Sequence, residues 1–302
     1  MFFGRKQEIT HADTTVRARA KINLTLDVTG RREDGYHTVE MVMQSIALHD
    51  TVRVTTIHGE KKPRGIVLSC SLPFLPTDER NLAYRAAELF YKETGALLET
   101  CEIHIEKRIP VAAGLAGGST DAAAVLRALN ALHTAGLTDD ELCEMGLKLG
   151  ADVPFCIDGG AAAAAGIGEK LTPVESHLPL WLVITKPKAG CSTPAMYRRI
   201  DEMGESLRQR FTTQEAAKAL EKGDLAGLCG SLYNVFEEVT ALPDLSEIRQ
   251  ELRQSGALAA MMTGSGSAVF GIFPEEDAAK VAAEKMAESR WAICCRGIGR
   301  PE

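Results

Sequence analysis

The sequence predicts an α/β (α+β) protein of two domains, and three observations carry that prediction. The chain has 302 residues, enough for about two domains at roughly 100–200 residues each. Around residues 101–132 it runs strand, small-residue loop, apolar helix, the grammar of an α/β unit. From residue 258 onward it runs strand, turn, strand, helix, strand, which suits a helix-on-sheet domain of the split βαβ kind.

Taken in order, Met1–Thr15 is polar and mixed, without the apolar core of a signal peptide, and is expected to be a flexible arm. Val16–Val28 is the clearest strand. Ala18, Ala20, Ile22, Leu24, Leu26 and Val28 fall on one face, and Arg19, Lys21, Asn23, Thr25 and Asp27 on the other. Alternation alone reads that polar face as solvated, with Lys21 and Asn23 projecting side by side. Asp34-Gly35 marks a turn, and Tyr36 and His37 follow as an aromatic pair that starts the next strand or lines a pocket.

Strands are expected at Met41–Leu48, Thr51–Thr56 and Ile66–Cys70, then a helix at Asn81–Tyr91. In Cys101–Ile109 the apolar side chains fall at odd positions, and Ala122–Leu132 is apolar almost all round, as a buried helix would be. Thr138-Asp139-Asp140-Glu141 matches a capping box, opening a helix that ends near Leu149 with Gly150 as its C-terminal glycine. Ala161–Ala165, five alanines between glycines, is too short for a helix and is taken as a buried strand. Residues 170–180 form the expected domain junction. A strand at Trp181–Thr185, a loop at Lys186–Pro194 with Tyr197 just beyond it, and helices at Thr213–Lys222, about Asp224–Val239 and Leu245–Gln254 lead to strands at Leu258–Met262 and Ala268–Phe273. Helix Glu275–Ser289 and strand Trp291–Arg296 finish the chain.

Composition excludes several classes. A net charge of -7 argues against a nucleic-acid scaffold, and no apolar run approaches the length of a membrane span. Eight cysteines without a Cys-x-x-Cys pair, and seven histidines without His-Glu-x-x-His, give no metal-site spacing, so metal ligands stay unknown. The thiols read as reduced, buried, small hydrophobes, and a cytoplasmic location is expected.

The candidate chemistry centres on Pro110-Val111-Ala112-Ala113-Gly114-Leu115-Ala116-Gly117-Gly118-Ser119-Thr120. Without large side chains its backbone can approach a ligand closely. Its N–H groups and the following helix N-terminus would face an anion, and Ser119, Thr120 and Asp121 are capping types. The loop equally fits a tight turn between packed elements; it matches neither the P-loop nor the dinucleotide pattern. Asp152, between a helix end and Pro154, reads either as a turn residue or as a partly desolvated carboxylate able to act as a base. Thr263-Gly264-Ser265-Gly266 reads as a hairpin turn or as a second ligand-facing loop.

Ala20-Lys21-Ile22-Asn23-Leu24, Gly35-Tyr36-His37, the loop Pro110–Asp121, Gly150-Ala151-Asp152-Val153-Pro154-Phe155 and Met262-Thr263-Gly264-Ser265-Gly266-Ser267 occur in the order and spacing of one family. From about residue 16 to its end the chain resembles the GHMP kinase superfamily. The resemblance implies an N-terminal α/β ATP-binding domain (16–175) and a C-terminal ferredoxin-like domain (176–302), with the active site in the cleft between them. It implies ATP with Mg²⁺, and a small-molecule acceptor linked to cytidine diphosphate, the 2-hydroxyl of 4-diphosphocytidyl-methylerythritol. It further implies Asp152 as base, Lys21 as charge stabiliser, Gly114–Ser119 with Thr120 around the phosphates, and Asn23 at the erythritol end. The resemblance also implies that Tyr36 and His37 would hold the cytosine, with Tyr197 as a second stacking face. A monomer or homodimer is expected, with neither nucleic acid nor membrane as partner. Three departures from the family pattern stand out. Ala112, Ala113 and Ala116 replace glycines, which requires φ below zero there. Asp121 replaces Asn, adding charge or serving as a cap. Val235 follows Asn234 where Asp is usual, leaving Asn234 a minor role. Another GHMP small-molecule kinase, or a nucleotide-binding regulator of the same fold, are the alternatives; the regulator would need neither Lys21 nor Asp152.

Overall fold

The structure is a computed structural model, and it describes residues 9–204 and 212–300. Residues 1–8 of the expected arm lie outside the described residues. The chain opens with β1 (Thr10–Arg31), β2 (His37–His58) and β3 (Gly65–Cys70), followed by α1 (Leu82–Thr94), β4 (Thr100–Glu106) and α2 (Gly117–Leu132). Next come α3 (Asp139–Leu147), α4 (Val153–Asp158), β5 (Ala161–Ala165), β6 (Lys170–Val174) and β7 (Trp181–Lys186). Then follow α5 (Thr193–Met203), α6 (Thr213–Lys222), α7 (Leu225–Ser231), β8 (Tyr233–Asn234), α8 (Phe236–Val239) and α9 (Leu245–Gln254). The last elements are β9 (Ala259–Met262), β10 (Val269–Phe273), α10 (Glu276–Ala287) and β11 (Trp291–Arg296).

These elements form two compact units that interleave along the chain. One comprises the chain through Ala18, His49–Arg108 and Gly117–Ile157; the other comprises Arg19–Leu48, Ile109–Ala116 and the chain from Asp158 on.

In the first unit the later half of β2 pairs antiparallel with β4, from Thr51 opposite Glu106 to Ile57 opposite Thr100, and β3 pairs parallel with β4. Helices α1 and α2 bury Phe90, Ala122, Val125, Leu126 and Leu129 in one core with Val52, Val54, Ile103 and Ile105. Asn81 caps α1 by accepting from the Ala83 N–H, and Gly95, at φ 68°, ends it in the left-handed region that glycine tolerates. Both halves of the capping box join Thr138 and Glu141 at α3.

In the second unit a four-stranded sheet has the order β11-β7-β10-β9, each neighbour antiparallel. Counted along the chain, that is fourth, first, third, second: the split βαβ arrangement expected from the order of the last elements. The five alanines of β5 form a strand, paired with Met41–Gln44 of β2 and with β6.

Several expectations need correction. Thr10–Thr15 belongs to β1 rather than to an arm; Asp13 pairs with Arg53 at 3.2 Å, and the Thr56 hydroxyl donates to the Ala12 carbonyl. The strands expected at 41–48 and 51–56 are one strand, β2. His49-Asp50 does not break it, because the buried Asp50 carboxylate accepts from Lys107 and the Arg108 N–H. The first part of the expected junction is strand: Lys170–Val174 completes a ladder with β5. The single helix expected over 224–239 is divided into α7, β8 and α8, because the Tyr233 and Asn234 backbone pairs with Thr25 and Leu26 of β1. The expected loop up to Pro194 gives way at Thr193 to a helix that was not expected, α5; Pro194 sits in its first turn, where proline is compatible with a helix. Helix α2 begins at Gly117, so Ser119, Thr120 and Asp121 lie inside its first turns instead of capping it. The α3 C-cap is Lys148 rather than a left-handed Gly150.

Candidate active site

Strand β1 places its polar face inside. Lys21 is 5% exposed and Asn23 fully buried, with Thr25 and Asp27 beside them, so the solvated-face expectation is overturned. A buried ammonium and amide need partners. Lys21 Nζ donates to Asn23 Oδ1 at 2.8 Å, and Asn23 Nδ2 lies 3.1 Å from Met41 Sδ. The Asn23 N–H donates to Thr263 Oγ1 at 2.9 Å, and the Lys21 N–H to the Leu115 carbonyl at 3.3 Å. One strand thus touches both small-residue loops.

Those two loops also hold each other. The Ala268 N–H donates to the Ala113 carbonyl at 3.0 Å. At Gly114, φ 75°, a Cβ would stand 2.3 Å from the Thr263 carbonyl oxygen; at Gly264, φ 55°, it would stand 3.0 Å from the Gly114 carbonyl. Only glycine permits this approach. Ser265 bonds Thr193 Oγ1 at 2.6 Å, tying the second loop to the start of α5. Ala112 and Ala116 adopt φ of 51° and 58°, which corrects the expectation of φ below zero at all three alanines; Ala113 is not among the positive-φ residues. Pro110 is half-buried, Val111 and Ala112 are exposed, and Ala113 and Leu115 are buried in the core of this unit.

Asn234 has more than a minor place. Its Nδ2 donates to the carbonyls of Met262 (2.7 Å) and Gly264 (2.9 Å), and its Oδ1 accepts from the Phe236 N–H. Glu237 accepts from the Met262 N–H at 2.7 Å and pairs with Arg249; burial pushes its carboxyl above the usual range. Both residues fix the strand end that leads into Thr263. No sequence pattern marks them, because their partners are backbone groups far along the chain.

The aromatic residues divide. His37 opens β2 and stacks on Tyr197 of α5, ring centres 4.6 Å apart at 20°. Tyr197 in turn meets Phe236 edge-on at 5.1 Å. His37 Nε2 lies 2.6 Å from Asp201 Oδ1, and Arg31 reaches Asp201 Oδ2 at 3.2 Å. Tyr36 is 62% exposed and does not join this stack.

In the first unit, Gly117, Gly118, Ser119 and Thr120 form the first turn of α2, whose leading N–H groups have no partner within the helix. Behind it lies a buried charge cluster that sequence analysis missed. Lys107 pairs with Asp50 and with Asp121, the latter at 2.7 Å, and its Nζ also lies 3.4 Å from the Gly117 carbonyl. Burial pushes the Asp121 carboxyl up to about 7; Lys107 pulls against that and Asp50 adds to it. Burial likewise opposes the charge of Lys107, but the two carboxylates outweigh it and hold the ammonium above its ordinary range. Asp121 is therefore neither a cap nor a charge offered to a ligand. Asp152 is half-buried directly before α4, its carbonyl accepting from the Cys156 N–H at 3.1 Å.

Comparison with known proteins decides the family. The GHMP kinases N terminal domain matches residues 81–160, and the GHMP kinases C terminal domain matches residues 216–292. A 4-diphosphocytidyl-2-C-methyl-D-erythritol kinase of Alkaliphilus metalliredigens is 48% identical over 273 residues, covering 90% of this chain and 91% of that protein. The chain belongs to the 4-diphosphocytidyl-2-C-methyl-D-erythritol kinase family. A crystal structure of a 4-(cytidine 5'-diphospho)-2C-methyl-D-erythritol kinase agrees, with a TM-score of 0.78 and 35% identity over 95% of this chain and all of that one. A homoserine kinase from Cytophaga hutchinsonii shares the fold alone, with a TM-score of 0.74 at 16% identity, covering 99% of this chain and 97% of that one. As a 4-diphosphocytidyl-2-C-methyl-D-erythritol kinase family member, the chain is an ATP-dependent small-molecule kinase of the GHMP fold.

Proposed function

We propose that the chain transfers the γ-phosphoryl group of ATP to the 2-hydroxyl of 4-diphosphocytidyl-2-C-methyl-D-erythritol, in isoprenoid biosynthesis, acting in the cytoplasm. The observation that carries the proposal is the buried Lys21–Asn23 pair on β1, bonded to both small-residue loops.

Phosphoryl transfer asks for positioning, charge neutralisation and an activated hydroxyl. Backbone N–H groups of Gly114–Ser119 cradle the β- and γ-phosphates, with the Ser119 and Thr120 hydroxyls assisting and Pro110–Ala113 supporting the loop. Asp152 accepts the hydroxyl proton. Lys21 stabilises charge on the transferring group. Asn23 orients the erythritol end beside Thr263–Gly266. His37 hydrogen-bonds the cytosine, Tyr197 supports His37 from behind, and Tyr36 offers an exposed ring face for stacking. We take the ATP-binding domain to cover 16–175 and the C-terminal domain 176–302.

The donor set does not fit a protein-held Mg²⁺. No group of three His, Cys, Asp or Glu that could hold a metal exists among the described residues. Asp121 Oδ1 is buried without a hydrogen bond, but the other oxygen already serves Lys107. Mg²⁺ is proposed to arrive on the nucleotide's own phosphates.

The test is Asp152→Asn. It should lower kcat by about 10²–10⁴ while the Kd for ATP, read by titration, stays within about twofold. Turnover within tenfold of the unaltered chain would remove Asp152 as the base.

A further inference from the structure

Asp201 lies on the last turn of α5, and its carboxylate is the hydrogen-bond partner of His37. The His37 Nε2 to Asp201 Oδ1 distance is 2.6 Å, and Arg31 Nη1 holds the other carboxylate oxygen at 3.2 Å. The imidazole itself is held flat by Tyr197, which Phe236 supports edge-on. Its side chain is only 10% exposed, so the ring has little freedom to turn over.

An ionised carboxylate can only accept, so the Nε2 facing it carries the hydrogen. In a neutral imidazole the other nitrogen, Nδ1, is then a bare acceptor. Nδ1 meets no hydrogen-bond partner among the described residues. An acceptor held in place asks for a donor on the ligand. Cytosine presents an exocyclic amine, a donor, where uracil presents a carbonyl oxygen, an acceptor. The same histidine therefore attracts one pyrimidine and repels the lone pairs of the other.

We infer that Asp201 is a positioning residue that fixes the His37 tautomer with hydrogen on Nε2, and that this makes the substrate site select a cytidine diphosphate-linked acceptor over its uridine counterpart. The inference rests on the proposed role of His37 at the base. Asp201 acts through His37 and does not itself need to touch the substrate.

Two measurements test it. Long-range ¹H–¹⁵N NMR of the unaltered chain should show His37 with hydrogen on Nε2 and an unprotonated Nδ1; hydrogen on Nδ1 would overturn the inference. Kinetics should be run on 4-diphosphocytidyl-methylerythritol and its uridine analogue. Asp201→Asn offers either an acceptor or a donor to Nε2 and so releases the tautomer. It should reduce the cytidine-over-uridine ratio of kcat/KM by about tenfold or more, through KM for the pyrimidine substrate, with KM for ATP unchanged. Asp201→Glu should restore part of the ratio. A purely structural role would move both KM values together, and an unchanged ratio would also overturn the inference. If the unaltered chain turned over neither substrate, the functional proposal would fail, while the NMR result would still decide the tautomer.

Discussion

At the scale of single residues, the site is built from positions where the backbone or a charge stands in an unfavourable state. Ala112 and Ala116 lie at φ 51° and 58°, a region that costs an L-residue roughly 1–2 kcal/mol. Glycine there would lose that strain but gain about 0.5–1 kcal/mol of unfolded-state entropy to overcome. Ala116→Gly is therefore expected to stabilise the chain by up to about 1 kcal/mol, read by denaturant unfolding, and a clear destabilisation would contradict the strain. Asp121 gives a pH prediction. Its folded carboxyl, pushed up mainly by burial to about 7, keeps a proton that the unfolded chain releases near its ordinary value of 3.8. The stability it contributes is thus complete below the unfolded value and is lost as pH rises through about 7. Asp121→Asn, which cannot titrate, should flatten the melting temperature between pH 4 and pH 7 relative to the unaltered chain. Parallel profiles would contradict the assignment. None of this was legible beforehand: the sequence shows an alanine or an aspartate, while φ, burial and a lysine fourteen positions away are set by tertiary structure.

At the scale of elements, legibility followed the length and regularity of the pattern. The alternation over Val16–Val28, the Thr138–Glu141 capping box, the five-alanine strand and the closing strand-turn-strand-helix-strand run are all present. The misses have a common cause. Helix α7, strand β8 and helix α8 read as one helix because helical periodicity outweighs a two-residue pairing with a distant strand. β2 read as two strands because Asp50 looks like a break, and only its buried partners Lys107 and Arg108 keep the strand whole. Asn234, within β8, is what that short strand delivers: two donors onto the carbonyls of Met262 and Gly264. Asn234→Ala leaves those carbonyls and the Phe236 N–H without their partner, at an expected cost of about 2–3 kcal/mol. A denaturant midpoint shift equivalent to less than about 0.5 kcal/mol would show that water or neighbouring groups replace the side chain.

At the scale of the whole molecule, the fold class and the family were legible because five short segments, spread from Ala20 to Ser267, agree in order and spacing. Four of them have a physical reason visible in the structure. Lys21 and Asn23 are polar groups buried on the inward polar face of β1. Gly114 and Gly264 meet backbone to backbone. His37 and Tyr197 join residues 160 positions apart in one stack. What the segments did not reveal was the support behind them, namely Lys107 with its two aspartates, Asn234 with Glu237, and Asp201, because such support is chosen by proximity in space.

The central claim is the acceptor, and the most direct measurement is coupled ADP release with Mg-ATP and a panel of alcohols: 4-diphosphocytidyl-methylerythritol, methylerythritol phosphate, homoserine and mevalonate. The account predicts turnover with the first alone. Turnover with any other acceptor in its place, or ATP binding without turnover of any, would contradict it.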